Sequence, residues 1–330
     1  MSGSEVARFA DVAMYEAEPV DTAQGPMVFL LSGNPDPLGD AAAAVAMYRG
    51  QVVRDVGEIT DAQRIEVLTS MKATKLKAPL EFIKMHFLIE GVSRSFTHQL
   101  VRQRTAVYAQ ESMRFAVKDG SHLPVKLPPS IAHLKEDAPA RVVWNQTIEH
   151  IGVVYDQLIA AGIPAEDARE LLPGGTLTRV HYATDFRNLV EHAGNRLCTQ
   201  AQFEWRVVFQ RIAEALISFG NEQTYRMTDG KWSSSAWQYR ELSQFFRPAC
   251  YLTGKCEFAA MDLDRACRIR DRVDANAAIN RPSEWWGKPH HEEVDAGDGM
   301  AKQGKLLIDP ISPAEWMLDD AAARVTPGRS

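Results

Sequence analysis

The sequence predicts an α+β fold, in which helices and strands occupy separate stretches of the chain. Residues 84–90 alternate polar and apolar side chains, which is the period of a strand with one buried face. Residues 144–158 and 205–219 instead repeat apolar side chains every three or four positions, as amphipathic helices do. These elements do not follow one another as βαβ units, so we do not expect a doubly wound parallel sheet. With 330 residues, 45% of them hydrophobic, the chain is long enough to bury a large core.

The first hundred residues give one helix and one strand. Residues 1–60 mix turn-rich stretches with short apolar runs and give no assignment. Residues 62–72 predict a helix. We expect the strand over residues 84–90 to end at Gly91, because glycine weakens the interior of a strand.

A helix, an extended segment and a surface connection are predicted next. Ser93 is a suitable N-cap for a helix that runs toward Arg104. Val107 restarts an extended segment, which we expect to continue as far as Arg114. Prolines are frequent over residues 118–139, and this predicts a surface connection rather than a long element.

Three helices are predicted in the second half of the chain. Residues 144–158 form a long amphipathic helix, and a short helix follows it. The stripe over residues 205–219 predicts a third helix, preceded by a capping-box pattern and followed by a glycine. The residues that mark helix ends are Pro164 and Pro173 for the short helix, and Thr199, Gln202 and Gly220 for the last one.

Composition and charge argue against several classes of protein. Lys and Arg number 37 against 43 Asp and Glu, so the chain as a whole is repelled by nucleic acid and by anionic membranes. No apolar stretch approaches the roughly 20 residues of a membrane span. Residues 1–12 lack the basic start and apolar core of a signal peptide, and the four cysteines fit a reducing compartment. We therefore expect a cytoplasmic protein without a nucleic-acid or membrane partner.

The C-terminal cysteines Cys250, Cys256 and Cys267 raise the question of a metal site. They are separated by wide intervals, whereas a zinc or iron-sulfur site usually contains a Cys-x-x-Cys pair. We expect buried reduced thiols and no metal. The alternative is a metal site with a fourth ligand from Cys198, His290 or His291.

Polar residues that could carry chemistry are concentrated in one stretch. Gln99 and Arg102 lie three positions apart, so on a helix they share a face. Gln110, Ser112 and Arg114 share a face if their segment is extended, because side chains alternate along a strand. Guanidinium groups grip phosphate bidentately and amides read ring edges. The stretch therefore suits a ligand that combines a phosphate with a flat heterocycle.

A second set of arginines lies downstream. No lysine occurs between Lys135 and Lys231, so every permanent cation in that interval is an arginine. This choice favours geometric recognition of anions. Isolated arginines on amphipathic helices more often face solvent or pair with a carboxylate. We retain two candidates, Arg169 in a helical segment and Arg196 at a Gly-Asn turn.

These residues resemble a known family. Arg102-Gln103-Arg104, followed after seven residues by Ser112, is similar to the Arg-His-Arg, seven residues, Ser signature of flavin-dependent thymidylate synthases (ThyX). A second block agrees in order and spacing, and the resemblance covers roughly residues 75 to 220. The stretches of this block are Glu166 to Pro173, Asp185 to Leu189, Arg196, and Gln202 to Trp205.

The resemblance implies a fold, an activity and an assembly. The fold would be ThyX-like, with a mostly antiparallel central sheet flanked by helices in a catalytic domain over residues 1–245. A C-terminal extension over residues 246–330 would follow it. The activity would be reductive methylation of dUMP to dTMP, with methylene-tetrahydrofolate as carbon donor, FAD as cofactor and NADPH as reductant. The protein would be a homotetramer whose active sites are shared between subunits.

The resemblance also assigns roles to residues, with Arg196 as the catalytic group that favours ionisation of the pyrimidine N3. The residues expected to bind the nucleotide are Gln99, Arg102, Gln110, Glu111, Ser112, Arg114, Arg169 and Arg196. The residues expected to bind the flavin are Arg102, Gln103, Arg104, Gln110, Asp185, Arg187 and Gln200. Ser112 has no base at useful spacing, so a serine nucleophile is disfavoured, and a flavin would supply the hydride that side chains cannot.

Some residues depart from the family pattern. Gln103 stands where the family has histidine, and Asp185 stands where asparagine is usual. Residues 76–82 lack both histidines of the corresponding family motif. These departures predict altered contacts with the flavin.

Two other functions stay open at this stage. A carboxylate at the ring edge, from Glu111 or Asp185, would favour cytosine, so the chain could methylate or hydroxymethylate dCMP at C5. A more distant alternative is a nucleic-acid-binding protein, since the Arg-Gln-Arg segment has base-reading side chains.

Overall fold

A four-stranded antiparallel sheet forms the centre of the protein in the computed structural model, which describes residues 25–74, 77–198, 201–227 and 229–249. The strand order is β1-β2-β4-β3. The strands are β1 (Met27–Gly33), β2 (Lys84–Ser93), β3 (Val107–Gln110) and β4 (Leu177–Asp185). β4 pairs with β2 on one side and with β3 on the other, so it brings together segments far apart in the sequence. The α+β prediction and the antiparallel sheet are confirmed.

Nine helices accompany the sheet within the described residues. They are α1 (Pro37–Tyr48), α2 (Asp61–Ala73), α3 (Arg94–Leu100), α4 (Pro129–Ala132), α5 (Pro139–Ala160), α6 (Ala165–Ala168), α7 (Phe186–Arg196), α8 (Phe203–Glu222) and α9 (Ala236–Ser243). A two-stranded ribbon, β5 (Thr224–Arg226) and β6 (Trp232–Ser234), lies between α8 and α9. The predicted helices over 62–72, 144–158 and 205–219 are confirmed as α2, α5 and α8. Sequence periodicity did not find β1, α1, β4, α7 or α9.

The core lies between one face of the sheet and the helices. Alternate side chains of β2, including Phe87, and of β4, including Tyr182, are buried against this layer. Trp205 and Phe209 of α8 belong to the same buried cluster. Burial of large aromatic and aliphatic side chains on one face of an antiparallel sheet is the main stabilising contribution expected for this architecture.

The prediction that β2 ends at Gly91 is wrong. Gly91 has a φ of 69°, and the pairing with β4 shifts register between Ile89 and Val92. Glycine at this position allows a bulge, after which Ser93 still pairs with Leu177. The bulge lets the strand continue directly into α3.

Two predicted extensions are also wrong. The helix expected to run toward Arg104 ends at Leu100, and residues 101–105 turn back to β3. The extended segment expected to reach Arg114 ends at Gln110, and the amides of Phe115 and Ala116 donate to the carbonyl of Ser112. Gln110, Ser112 and Arg114 therefore do not share a strand face. β3 is the edge strand of the described sheet. After Glu111 the backbone amides of Phe115 and Ala116 bond within a turn and not to a neighbouring strand.

Both predicted markers of the α8 ends need correction. Gln202 is the N-cap residue and its side chain does not cap the helix, while Thr199 lies outside the described residues. Gly220 does not end the helix, which continues to Glu222. A Cβ built on Gly220 would lie 2.5 Å from the Cβ of Tyr239 in α9. This glycine is needed for the close approach of α8 and α9.

A buried ion pair ties the N-terminal helices to α9. Arg64 of α2 is fully buried, and its Nε donates to Oδ1 of Asp36 at 2.9 Å. Asp36 also caps α1 through the amide of Gly39 and accepts from the side chain of Gln238 at 2.9 Å. Burying these charges is tolerated because each has several partners.

Several expectations fall on residues outside the described ranges. The boundary between a catalytic domain over 1–245 and an extension over 246–330 stays a prediction. Cys250, Cys256, Cys267, His290 and His291 lie beyond residue 249. In the part of the chain that the structure describes, no three His, Cys, Asp or Glu side chains group as metal ligands. No described helix has the length and hydropathy of a membrane span.

The packing of Gly220 gives a prediction about stability. Gly220→Ala should lower the free energy of unfolding by about 1–3 kcal/mol, because the added methyl overlaps Tyr239. Urea denaturation measures this change. Gly194→Ala in α7 is the matched control, since its Cβ would lie 3.7 Å from Ala249, an ordinary contact. Equal effects of the two substitutions would contradict the close-approach role of Gly220.

Candidate active site

The position of α3 depends on a buried carboxylate in α8. Ser93 caps α3, and its hydroxyl accepts from the amide of Phe96 at 3.1 Å. The amide and the hydroxyl of Ser93 both donate to Glu204 at 2.7 Å. Nζ of Lys126 lies 2.9 Å from the same carboxylate, whose side chain is fully buried. The start of α3 is therefore fixed against the start of α8.

Gln99, near the other end of α3, connects three helices. Its Oε1 accepts from the indole Nε1 of Trp205 at 2.9 Å and from Nη1 of Arg196 at 3.3 Å. Its Nε2 donates to Oε1 of Gln202 at 2.6 Å. Because both ends of the amide are bound, its orientation is fixed. The structure thus brings together two predicted site residues, Gln99 and Arg196.

Arg196 is surrounded by neutral partners. It lies in the last turn of α7, so the expectation that it occupies a Gly-Asn turn is wrong. Besides Gln99, its guanidinium contacts Nε2 of His192 at 3.4 Å and lies over the ring of Trp205, 4.9 Å from the centroid. Burial lowers the pKa of Arg196. No carboxylate pairs with Arg196 among the described residues, so its positive charge is not offset.

His192 is a site residue that the sequence analysis missed. Burial, with a contribution from the nearby charge of Arg196, lowers its pKa to about 4. The ring is therefore neutral near pH 7 and can accept a hydrogen bond from Arg196. The available signal was the four-residue spacing between the two, which places both on one face of a helix.

A second group of arginines lies near the other end of α3. Nε of Arg114 is 2.9 Å from the carboxylate of Glu166, and Nε of Arg169 donates to the carbonyl of Glu166 at 3.1 Å. Burial and the charge of Arg169 lower the pKa of Arg94. The charge of Arg169 therefore acts on Arg94, opposed in part by that of Glu111, and Arg114 and Arg169 both contact Glu166.

Arg94 is a further residue that the sequence analysis missed. Its guanidinium is half-buried and has no hydrogen-bond or ion-pair partner among the residues that the structure describes. It occupies the first turn of α3, where the helix dipole disfavours a cation. These three arginines form the arginine cluster, defined as Arg94, Arg114 and Arg169.

Three other residues of the predicted nucleotide group, Gln110, Glu111 and Ser112, have protein partners. Glu111 accepts from Nζ of Lys118 at 2.9 Å and from the hydroxyl of Thr178 at 3.3 Å. Gln110 donates from its amide to Thr97 of α3 at 2.8 Å. The hydroxyl of Ser112 accepts from the amide of Arg114 at 3.3 Å and has no basic partner in the described part of the chain.

Gln103 holds the turn after α3 against the sheet and α7. Its Nε2 donates to the carbonyl of Asn188 at 3.1 Å, and its Oε1 accepts from the hydroxyl of Tyr182 at 2.7 Å. Tyr108 donates to the carbonyl of Gln103 at 2.9 Å and stacks on Tyr182. Burial raises the pKa of both tyrosines, so both hydroxyls keep their protons. Gln103 and its partners Tyr182 and Asn188 form the Gln103 clamp.

The other predicted flavin residues fall into two classes. Asp185 caps α7 and accepts from the amide of Asn188 at 2.9 Å, and Arg187 pairs with Glu81 and with Glu191 at 2.9 Å. In contrast, the guanidinium groups of Arg102 and Arg104 are exposed and have no side-chain partner within the described ranges. Gln200 lies outside those ranges.

Comparisons with known proteins identify the family of the chain. A family model described as thymidylate synthase complementing protein matches residues 30–219. A flavin-dependent thymidylate synthase from Nitratidesulfovibrio vulgaris is 35% identical over 198 residues, which is 56% of this chain and 79% of the relative. One from Clostridium tetani is 29% identical over 264 residues, which is 74% of this chain and 96% of the relative. The chain belongs to the flavin-dependent thymidylate synthase family.

A solved structure of this family is also similar. It is a ThyX from Helicobacter pylori with FAD and dUMP, and it is 19% identical to this chain, with a TM-score of 0.45. The similarity covers 58% of this chain and 92% of that one.

The residues present fit a flavin-dependent thymidylate synthase that binds FAD. FAD carries a diphosphate, and the two unpartnered guanidinium groups of Arg102 and Arg104 are the donor type that grips such a group. They extend from a turn whose position the Gln103 clamp fixes. The donor set is therefore available without breaking an existing ion pair.

The lowered pKa of His192 gives a prediction about pH. The unfolded chain binds a proton at this histidine near pH 6.5, whereas the folded chain does so only near pH 4. The free energy of unfolding should therefore fall as pH decreases across this window, by less than about 1.4 kcal/mol per pH unit from this group. His192→Phe should make the fall shallower in urea denaturation. Identical slopes for the two proteins would argue against a buried neutral histidine.

Proposed function

We propose that this protein converts dUMP to dTMP by reductive methylation, with methylene-tetrahydrofolate as carbon donor. The observation that carries the proposal is the Arg196 guanidinium, which is half-buried and held by Gln99, His192 and Trp205 without a carboxylate among the described residues. A cation whose charge is not offset stabilises an anion that forms beside it. Because the chain belongs to the flavin-dependent thymidylate synthase family, we infer that this anion is the deprotonated ring of a pyrimidine nucleotide.

The arginine cluster is proposed to hold the nucleotide phosphate. No hydrogen-bond or ion-pair partner of Arg94 within the described residues would have to be released, and an anion bound between Arg94 and Arg169 would relieve their electrostatic repulsion. Arg114 would exchange or share its contact with Glu166. Bidentate contacts from several guanidinium groups would hold the nucleotide in one position and would also increase its affinity.

The pyrimidine ring is proposed to lie near Gln99 and Arg196. Loss of the N3 proton places negative charge on the ring, which activates C5 toward an electrophilic carbon, and Arg196 would stabilise that charge. Gln99 keeps the guanidinium in place, and Gln110 and Ser112 contribute further polar contacts. Arg196 therefore acts on the reacting ring itself.

FAD is proposed to bind at Arg102 and Arg104, with Gln103, Gln110, Asp185, Arg187 and Gln200 as the remaining predicted contacts. Reduced flavin would supply the hydride and carry the one-carbon group from the folate to the nucleotide, and NADPH would be the reductant. Gln103 and Asp185 would act mainly by positioning, because both side chains already hold the protein together at this end of α7.

The structure favours uracil over cytosine as the substrate ring. A cytosine-specific site needs a free carboxylate at the ring edge, and Glu111 and Asp185 were the candidates. Glu111 is bound to Lys118 and Thr178, and Asp185 caps α7. Both carboxylates already accept hydrogen bonds from the protein, which supports dUMP over dCMP as the substrate. The net charge of −6 likewise disfavours a nucleic-acid-binding function.

A homotetramer in the cytoplasm, with active sites shared between subunits, is proposed as the working assembly. Large apolar side chains are exposed in the single chain. They include Val107 on β3, Phe115 in the turn after β3, and Val143 on α5. α5 has 22 residues but buries only Gly152 and Tyr155. Apolar surfaces of this kind mark protein contacts.

A turnover assay with paired nucleotides tests the function. Purified full-length protein with FAD, NADPH and labelled methylene-tetrahydrofolate should form labelled dTMP from dUMP and no labelled product from dCMP. Mass analysis of the product decides the outcome. Turnover of dCMP alone would overturn the choice of substrate, and a protein that neither binds FAD nor methylates either nucleotide would overturn the proposed function.

The catalytic role of Arg196 gives a second test. Arg196→Gln should lower kcat/KM for dUMP by about 100-fold or more, because the cation beside the ring is lost. Arg211→Gln is the matched control, since Arg211 is an exposed arginine of α8 that pairs with Glu214 at 2.7 Å. Steady-state kinetics should show no change for the control. A fully active Arg196→Gln variant would contradict the assignment.

The Gln103 clamp gives a prediction about flavin affinity. Gln103→Ala should raise the Kd for FAD about tenfold, because the loss of two hydrogen bonds releases the turn that carries Arg102 and Arg104. Quenching of flavin fluorescence measures the Kd. Gln157→Ala, on an exposed position of α5, is the control and should not change it. An unchanged Kd in both variants would show that the clamp does not position the turn.

A further inference from the structure

His192 is placed to orient Arg196. It lies one helical turn before Arg196 in α7, and its ring is packed edge-on against two aromatic rings of α8. The centroid distances are 4.6 Å to Trp205 and 5.8 Å to Phe209. This packing leaves the imidazole little freedom to rotate.

Hydrogen-bond chemistry fixes the role of each imidazole nitrogen. Nε of Arg196 can only donate, so Nε2 of His192 must accept the bond at 3.4 Å and carries no proton. The proton of the neutral ring is then on Nδ1. Nδ1 is buried and has no hydrogen-bond partner in the described part of the chain. A buried donor without a partner costs stability, so this histidine is not explained by folding alone.

The contacts of Arg196 account for two of the five N–H groups of its guanidinium. Nε donates to His192 and Nη1 donates to Gln99, while the plane lies over Trp205. Three contacts in different directions determine both the position and the plane of the group. Three N–H groups remain, one on Nη1 and two on Nη2, and a ligand could accept them.

We propose that His192 is a positioning residue that acts through Arg196, by accepting its Nε–H and so directing the free N–H groups toward the substrate ring. This proposal rests on the proposed function. A phenylalanine at position 192 would preserve the aromatic packing but could not accept the bond. A glutamine could accept it through Oε1.

Four variants test this proposal. His192→Phe should lower kcat about tenfold, with KM for dUMP and the Kd for FAD within twofold of the wild type. His192→Gln should restore kcat to within threefold. Phe209→Leu disturbs the same aromatic packing without removing the acceptor, so it should lower stability and reduce kcat by less than His192→Phe does. The fourth variant, Arg196→Lys, lacks the Nε–H that His192 accepts. If His192 acts through that bond, adding His192→Phe to Arg196→Lys should change kcat by less than twofold.

A structural measurement separates this proposal from the proposed function. Crystal structures should show the Arg196 guanidinium reoriented in His192→Phe and unchanged in His192→Gln, whether or not the protein makes dTMP. An unmoved guanidinium in His192→Phe would overturn the positioning role. An equal loss of kcat from His192→Phe in the wild-type and Arg196→Lys backgrounds would overturn it too. Absence of any methylation by the wild type would instead refute the proposed function alone.

Discussion

The arrangement of the site depends on the buried carboxylate of Glu204. A buried charge is tolerated only when it is fully paired, and this one receives Ser93 twice, Lys126 and Gln202. These partners come from the end of β2, from the loop before α4 and from the start of α8. The same bonds that satisfy the carboxylate therefore fix α3 against α8. Gln99, two turns along α3, can meet Trp205 only because of this constraint.

The arginines Arg114, Arg187 and Arg196 differ in how their charges are paired. Arg187 and Arg114 are paired with carboxylates on the surface, where each pair contributes little to stability. Arg196 is instead partly buried and bonded to an amide and a neutral imidazole, with an aromatic ring beneath it. Neutral donors and acceptors orient a cation without cancelling its field. This difference, and not the number of arginines, marks the residue that can stabilise an anion.

Sequence periodicity found the elements whose burial pattern is local, namely α2, β2, α5 and α8. It did not find β4, although its buried side chains alternate, because the buried face carries Thr178 and Thr184 and the apolar side chains on it are only Val180 and Tyr182. The motif resemblance predicted Gln99 and Arg196 as site residues, and the structure shows a hydrogen bond between them. It did not find Arg94 or His192, because their importance comes from neighbours on other elements: Arg169 for Arg94, and the rings of α8 for His192. Such contacts between distant segments have no local sequence period.

Gln103, which stands where the family motif has histidine, is also held by uncharged groups. Where the family motif has a titratable ring, this chain has an amide whose two ends are bound by Tyr182 and by the backbone of Asn188. Both neighbouring tyrosine hydroxyls keep their protons, since burial raises the pKa of each. The turn that carries Arg102 and Arg104 is therefore held by groups that stay neutral over a wide pH range. Its guanidinium groups have no carboxylate partner within the described ranges, which suits the proposed binding of a diphosphate at this turn and the proposed anion at Arg196.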